Sequence, residues 1–404
     1  MNETSAPATP QSQEQAQSPE EQVYQPTSQA RLIWHRFLRH KLGVLGGVTI
    51  AFLVLIFLFA EFVSPYNYHK SHYAYPYVPP MLGRIHFDGL RPYVYGLIKK
   101  NVYVEYGGVR NRLPGVLRYA ENRSRKYPIK FFVHGDKYQL FGFIPTDIHL
   151  FGTGEPPNSP GQFFLFGTDS QGYDIFSQTL FGGRVSLSIG PIVILISFLF
   201  GTLLGGFSGY LGGVADTLIQ RFLEIFMSLP RLALLLAIAG ILAHLGNIPA
   251  MVRYWSIVGV LALVNWAPLA RVIRGQFLAL RNSEYTQAAQ AIGAGDLRVI
   301  FRHIMPNIMS YLVVAATLAV PDIIILESIL SFLGYGIQDP LISWGMLLHS
   351  FEGSGFNFQM QFHAWLLLPA AFIVVTVLAF NFMGDALRDA VDPYTVAEVK
   401  EGAL

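Results

Sequence analysis

The sequence has 404 residues, enough for two or three soluble domains, but 52% are hydrophobic and only 13% are charged, against about a quarter charged in soluble domains. With a mean hydropathy of +0.39, this composition describes a polytopic membrane protein. The formal charge of +2 is too small to imply a nucleic-acid partner, and the lack of cysteine excludes a disulfide framework, a thiolate metal site and a cysteine nucleophile.

Residues 1–30 are rich in Gln, Ser, Pro, Glu and Ala and have almost nothing to bury, so a disordered cytoplasmic tail is expected. No signal peptide is read here, because the first apolar run starts only near residue 42 and lacks a small-residue cleavage site. Residues 31–63 carry an amphipathic entry segment and the first span. Arg31, Arg36, Arg39 and Lys41 precede the uncharged run Leu42–Ala60, which is long enough to cross ~30 Å of hydrocarbon. The basic cluster puts this end in the cytoplasm, with RLIWHRFLRHK lying along the inner surface and Trp34 and Phe37 dipping inward.

Residues 64–182 form an extracytoplasmic insertion rich in Tyr, Pro and Gly. Strand-like runs at Val102–Tyr106, Lys130–Val133 and Tyr138–Phe143 predict a small, mostly-β subdomain. Its thirteen Lys and Arg against eight Asp and Glu do not oppose an outside location, since long loops translocate regardless of charge. His69, His72, His86, His134 and His149 share no metal-ligand spacing and are expected at the surface. At the end of the insertion, Asp169 and Asp174 could be taken for an acid–base pair. They lie among Gly and Ser, including Gly172, where loop-structuring Asx turns are the expectation.

The remaining spans fall in residues 183–384. Helix 2 is expected over Val185–Ala215, with Gly201, Gly205 and Gly209 making a small-residue face for close packing. Asp216–Leu229 is amphipathic and is placed at the cytoplasmic end of helix 3, Arg231–Leu245. Helix 4 covers Tyr254–Ala270, and Arg271, Arg274 and Arg281 return the chain to the cytoplasm.

A polar loop follows, within residues 275–306. Asn282 or Ser283 can cap a short helix, Glu284 suits its positive end, and Gln287, Ala288 and Ala289 leave its surface nearly flat. Gly293 ends it. Asp296 is expected to cap a second helix with Leu297, Ile300, Phe301 and Ile304 on one stripe, Arg298 and Arg302 off it, and Pro306 breaking the ladder. A flat helix of this kind lets another protein's backbone come close, so the loop reads as a docking lever.

Helix 5, Asn307–Phe332, carries Asp322 and Glu327. Intramembrane carboxylates rarely face lipid; they either line a substrate path or hydrogen-bond at a kink beside Pro321. Gly334–His363 has no Lys or Arg, as expected outside, and helix 6, Ala364–Met383, leads to a cytoplasmic tail over residues 385–404. The expected fold is an all-α polytopic membrane protein of six transmembrane helices, with the mostly-β subdomain inserted after helix 1.

Four stretches resemble one family. Gln287, Ala288, Ala289, Gly293 and Pro306 hold the spacing of the "EAA" loop of ABC-importer permeases, although Gln287 replaces the glutamate and His303 with Met305 replaces its Ile and Leu. Phe166–Asp174 with Gly183-Arg184 resembles the signature GTDxxGRD…GxRxSL, Tyr173 standing for its arginine. SFLGYGIQDPLISWGMLL, which contains Trp344, and FNFMGDALRDAVDPY are similar to two further family signatures.

The chain is thereby identified as a member of the peptide/nickel branch, as its C-type permease subunit, over about Arg31–Val63 and Phe166–Tyr394. The resemblance implies a pore-forming subunit of an ATP-driven importer for di- or oligopeptides. It also implies a homologous B-type permease, two cytoplasmic ATPases that hold ATP and Mg, an external solute-binding protein, and a bacterial or archaeal cell membrane with both termini cytoplasmic. Residues 275–306 would be the ATPase-coupling loop. Asp169, Gly172, Asp174 and Trp344 would form an outer gate or docking site for the binding protein, and Asp322 and Glu327 a solute path. The aromatics of the insertion fit either a core or that docking surface. No G-x-x-x-x-G-K-[ST] loop is present, so ATP hydrolysis is not expected of this chain. The alternative is an ion-coupled carrier using Asp322 and Glu327; an intramembrane enzyme would need H-E-x-x-H or G-x-S-x-G, and neither occurs. The solute itself is not legible.

Overall fold

The computed structural model describes residues 29–106, 109–244, 248–352 and 356–391; most of the expected N-terminal tail and the chain after Val391 lie outside them. The amphipathic entry segment forms α1 (Gln29–Arg39), followed by α2 (Lys41–Leu58) and α3 (Ala60–Val63). Phe37 of α1 is buried, whereas Trp34 is exposed and stacks on Phe37.

The insertion is β-rich as expected. Strands β1 (His86–Asp88), β2 (Arg91–Tyr106) and β3 (Val109–Pro128) pair antiparallel in one sheet, and β4 (Lys130–Leu140) pairs with β5 (Ile144–Gly152) in a second. The runs read as two short strands, Lys130–Val133 and Tyr138–Phe143, belong largely to β4, which continues through a register shift between His134 and Tyr138. Tyr75, Tyr119, Tyr127, Phe163 and Phe164 form the subdomain's core. Two histidines depart from the surface expectation. His72 is buried, and burial lowers its pKa to about 4; His149 is buried with its ring nitrogens on the carbonyls of Ser64 and Asp136.

The bundle continues as α4 (Ile175–Leu211), α5 (Gly213–Ser228), α6 (Arg231–Ala243), α7 (Ala250–Arg281), α8 (Glu284–Ala291) and α9 (Asp296–Arg298). A π segment (Val299–Ile304), α10 (Met305–Phe332), α11 (Trp344–Glu352), α12 (Phe356–Phe362) and α13 (Leu368–Val391) complete it. Among the described residues, five helical runs are long and apolar enough to cross a membrane. A sixth crossing exists only if α5 and α6, bent by 83° at Leu229-Pro230, count as one. The expected helix 3 is thus sharply bent, because Pro230 cannot continue the ladder. Helix 2 begins earlier than expected, through Arg184, and ends at Leu211, short of Ala215, where Gly212 takes φ +67°; helix 4 extends at both ends, through Arg274. A charge does not end a helix when it is paired, and Arg184 meets Glu61 while Arg274 meets Asp216. The stretch expected as an outer loop contains α11 and α12.

Close packing follows the glycines. A Cβ at Gly205 would sit 2.3 Å from the Ala270 carbonyl oxygen and one at Gly209 2.6 Å from that of Arg274, so α4 and α7 run parallel with their backbones in contact. Gly43 and Gly46 likewise bring α2 against Ala386 and Ala379 of α13. The helix ends at α8 define the hairpin face of the bundle; the opposite ends, beneath the strands, define the sheet face.

Candidate functional site

On the hairpin face, α8 ends as the glycine predicts. Gly293 has φ +87°, its N–H donates to Gln290 O, and Ala294 N–H reaches back to Ala289 O, which closes a Schellman motif. The other predicted caps differ. Ser283 is the N-cap, but its hydroxyl donates to Leu280 O and makes no cap hydrogen bond. Gly295, not Asp296, precedes the second helix. The Asp296 carboxylate instead accepts from the Tyr210 hydroxyl at 2.8 Å, while Gln290 donates to that same hydroxyl at 3.3 Å. Arg281 donates to the Tyr210 carbonyl at 2.9 Å. The end of α4 is therefore latched to both arms of the hairpin through one residue.

Pro306 does not break the helix. It cannot supply an N–H to the carbonyl four residues before it, and the chain widens into the π turn just ahead. That change of period overturns the expected stripe. Val299, Ile300 and Ile304 are buried with Phe277 and Ile308, whereas Leu297 and Phe301 face outward. On α8, Ala289 and Thr286 point into the body; Tyr285, Gln287, Ala288 and Ile292 face outward, Ile292 with 87% of its surface exposed. Glu284, Arg298 and Pro306 are also exposed.

The two α10 carboxylates do not come together. Asp322 is exposed and lines an open groove of about 250 Å³ with Ser197, Asn265 and Arg231, whose guanidinium donates to Asn265. Glu327 is fully enclosed. Its two oxygens accept from Ser331 Oγ at 2.7 Å and Ser186 Oγ at 3.3 Å. Those hydroxyls in turn accept the Ile337 and Trp344 backbone N–H groups. Of the two readings left open for these residues, Asp322 fits a lining and Glu327 fits internal hydrogen bonding.

The residues singled out on the sheet face are mostly internal. Trp344 is buried, donates from its indole to Thr179 O and packs edge-on against Phe57. Asp174 caps α4 by accepting from Ser177 N and Oγ. Asp169 accepts from the Gln171 and Tyr173 N–H groups in the expected Asx arrangement; burial pushes its pKa up to about 6 despite those bonds. At Gly172, φ is +83° and a Cβ would meet the His72 carbonyl at 2.3 Å. Of this set Asp169 alone is partly open to solvent, so any docking contact made by Asp174 or Trp344 would need the loops to part.

Sequence reading missed Tyr210 and the task of Arg184. That arginine pairs through both terminal nitrogens with Glu61 at 2.6 Å and donates to the Phe57 and Leu58 carbonyls, satisfying the end of α2. The available signal for Tyr210 was a hydroxyl at the end of an otherwise apolar, glycine-rich helix.

Residues 201–396 match the family described as binding-protein-dependent transport system inner membrane component, and residues 28–80 match the N-terminal transmembrane domain of oligopeptide transport permease C. The oligopeptide transport system permease protein OppC of Haemophilus influenzae is 40% identical over 254 residues, 63% of this chain and 76% of the relative. OppC of Escherichia coli is 41% identical over 65% of this chain and 82% of the relative. The dipeptide permease DppC of Bacillus subtilis is 39% identical over 58% and 70%. A chain of the methionine ABC transporter MetNI, solved in inward-facing conformations, is a more distant likeness: 19% identity, 52% of this chain, 94% of that chain and a TM-score of 0.42. With two successive family matches and relatives near 40% identity, the chain belongs to the binding-protein-dependent transport system inner membrane components, in their permease C branch.

Proposed function

We propose that this chain is one half of the pore of an ATP-driven importer for di- or oligopeptides, and that the hairpin at 282–306 is where the motor grips it. The observation that carries the reading is the outward face of α8. It is short and smooth at Ala288, it is tied by Tyr210 to the end of α4, and beyond the Gly293 turn the chain continues as one helical run, Asp296–Phe332, into α10. The basic residues of α1 favour the hairpin face as cytoplasmic, with α1 and the end of α13 inside and the strands outside.

In this reading the partners are a homologous B-type permease, two ATPases that carry ATP and Mg, and an external binding protein. ATP hydrolysis on the partner subunits supplies the free energy. Within this chain, a push on Tyr285, Ala288 and Ile292 moves α8 against α4 through Tyr210 and against α10 through the π turn. The parallel glycine contact of α4 and α7 lets those helices travel together. Asp322, Arg231 and Asn265 give the groove polar groups along a solute path. Such a switch needs two packings of similar energy, and a π turn is a common place for a helix to adjust.

The enclosure of Glu327 by serines favours an internal hydrogen-bonding role for it over a place on the path. The ion-coupled carrier then loses one of its two carboxylates, and the family match favours an importer.

Cross-linking tests the reading directly, since the chain has no cysteine of its own. A cysteine at Ala288 should capture a nucleotide-hydrolysing subunit in the assembled complex, and one at Ala289, which faces inward, should not. Equal capture at both positions, or capture at neither, would remove the hairpin as the grip.

A further inference from the structure

The insertion carries more aromatic residues than its core takes in. Phe131 and Phe132 on β4 and Phe141 and Phe143 at the β4–β5 turn are all exposed, Phe132 and Phe143 by 66% and 72%. They are not scattered. Phe141 packs edge-on against Phe59 at 5.2 Å, and Phe132 lies against Phe62 at 6.1 Å. Both partners flank the outer end of the first span.

We infer that the β4–β5 hairpin is an interfacial membrane anchor, its aromatic edge seated among the lipid headgroups of the leaflet on the sheet face. The depth follows from α2. Its 18 residues span about 27 Å at about 1.5 Å per residue, close to the ~30 Å hydrocarbon thickness. Phe59 is therefore at the hydrocarbon boundary and Phe62 just beyond it. One side of α2, with Gly43, Gly46 and Phe57, is taken up by the bundle. The other exposes Val48, Phe52 and Leu55, a stripe whose spacing runs on to Phe59 and Phe62. Through Phe141 and Phe132 the hairpin's aromatic edge meets that stripe at Phe59 and Phe62.

The backbone points the same way. Phe132 and Phe141, the two rings that touch the helix end, have φ of +54° and +55°, a left-handed conformation uncommon for bulky side chains. The hairpin cannot go deeper, because its open strand edges need water for their N–H and C=O groups. Aromatic rings settle at that level, and the exposed Lys130, His134, Lys137 and Gln139 on the same strand suit headgroups. A protein partner on the same edge is the competing occupant. This inference rests on the chain spanning a membrane and not on the solute or the motor.

Spin labels on single cysteines decide the matter, with the complete transporter reconstituted in bilayers and any partner cysteines replaced. Labels at Phe131→Cys and Phe143→Cys are compared with Leu90→Cys, whose parent residue is 99% exposed, and with Leu55→Cys on the lipid stripe. The ratio of oxygen to nickel-chelate collision should be severalfold higher at the two hairpin sites than at Leu90 and lower than at Leu55. A ratio equal to that at Leu90 places the hairpin in water and overturns the inference. Loss of access to both reagents means a protein covers the edge, which also overturns it. Ile144→Cys, beside the same turn, gives an independent reading should one hairpin variant fail to assemble.

Discussion

At its sheet end α4 is held by a carboxylate sealed inside the bundle: Glu327 takes hydrogen bonds from Ser186 and Ser331, which position Trp344 and Ile337. At its hairpin end the same helix is held by Tyr210 and by Ser208, whose hydroxyl donates to Asp216, the partner of Arg274; the side chains of that ion pair remain partly open to solvent. The first arrangement is sealed from water, with Ser328 and Ser343 also beside the carboxylate, so opening it carries the full desolvation cost. In the second, water can replace each bond as it breaks. One helix is thus clamped at one end and releasable at the other, which suits a transmitter whose hairpin end must shift.

The contrast breaks first at Glu327. Glu327→Ala leaves the Ser186 and Ser331 hydroxyls without their acceptor, and each unsatisfied buried group costs ~1–3 kcal/mol. A total loss of roughly 2–5 kcal/mol is expected, visible as a fall of several degrees in thermal unfolding of the purified complex. Glu327→Gln keeps one acceptor oxygen and should lose less than half as much. Equal and small losses in both variants would mean the sheet end is not clamped by this group.

Asp169 gives a smaller, pH-dependent test on the sheet face. Its folded pKa, raised to about 6 by burial, lies above the unfolded value of ~3.9. The folded state therefore binds the proton more tightly. Its stabilising contribution is complete below the unfolded value and is lost as pH rises through about 6. Unfolding temperatures between pH 4 and 7 should fall for the native chain and fall less for Asp169→Asn, which keeps the oxygen that accepts from Gln171 and Tyr173. Parallel curves would assign the pH dependence to other groups.

How much of this was legible depended on how local the physics is. Gly201, Gly205 and Gly209 announced a backbone contact because only a missing side chain permits one, and Gly293 announced a left-handed turn. Asp296 was misread because a carboxylate before an apolar run has a local use as a cap, whereas its real partner, Tyr210, lies 86 residues away. The inward stripe at 297–304 failed for a different reason: a π turn has a wider period than the 3.6 assumed, so Leu297 and Phe301 rotate out. Glu327 and Asp322 looked alike in sequence, and only tertiary packing separates a sealed acceptor from a groove-lining group.

Tyr210→Phe asks the most of the comparison with the least disturbance. It removes one hydroxyl and leaves the ring packed against Phe277 and Val299. Because the bonds to Asp296 and Gln290 are only part-buried, the loss of stability should be near 1 kcal/mol, well under that of Glu327→Ala. The larger effect is expected on coupling: α8 would still be gripped, but its movement would reach α4 through fewer contacts. ATP hydrolysis by the reconstituted complex should persist while solute taken up per ATP falls severalfold. If that ratio stays unchanged while Glu327→Ala unfolds the bundle, Tyr210 is a packing residue, and motion must leave the hairpin through the π turn and α10 alone.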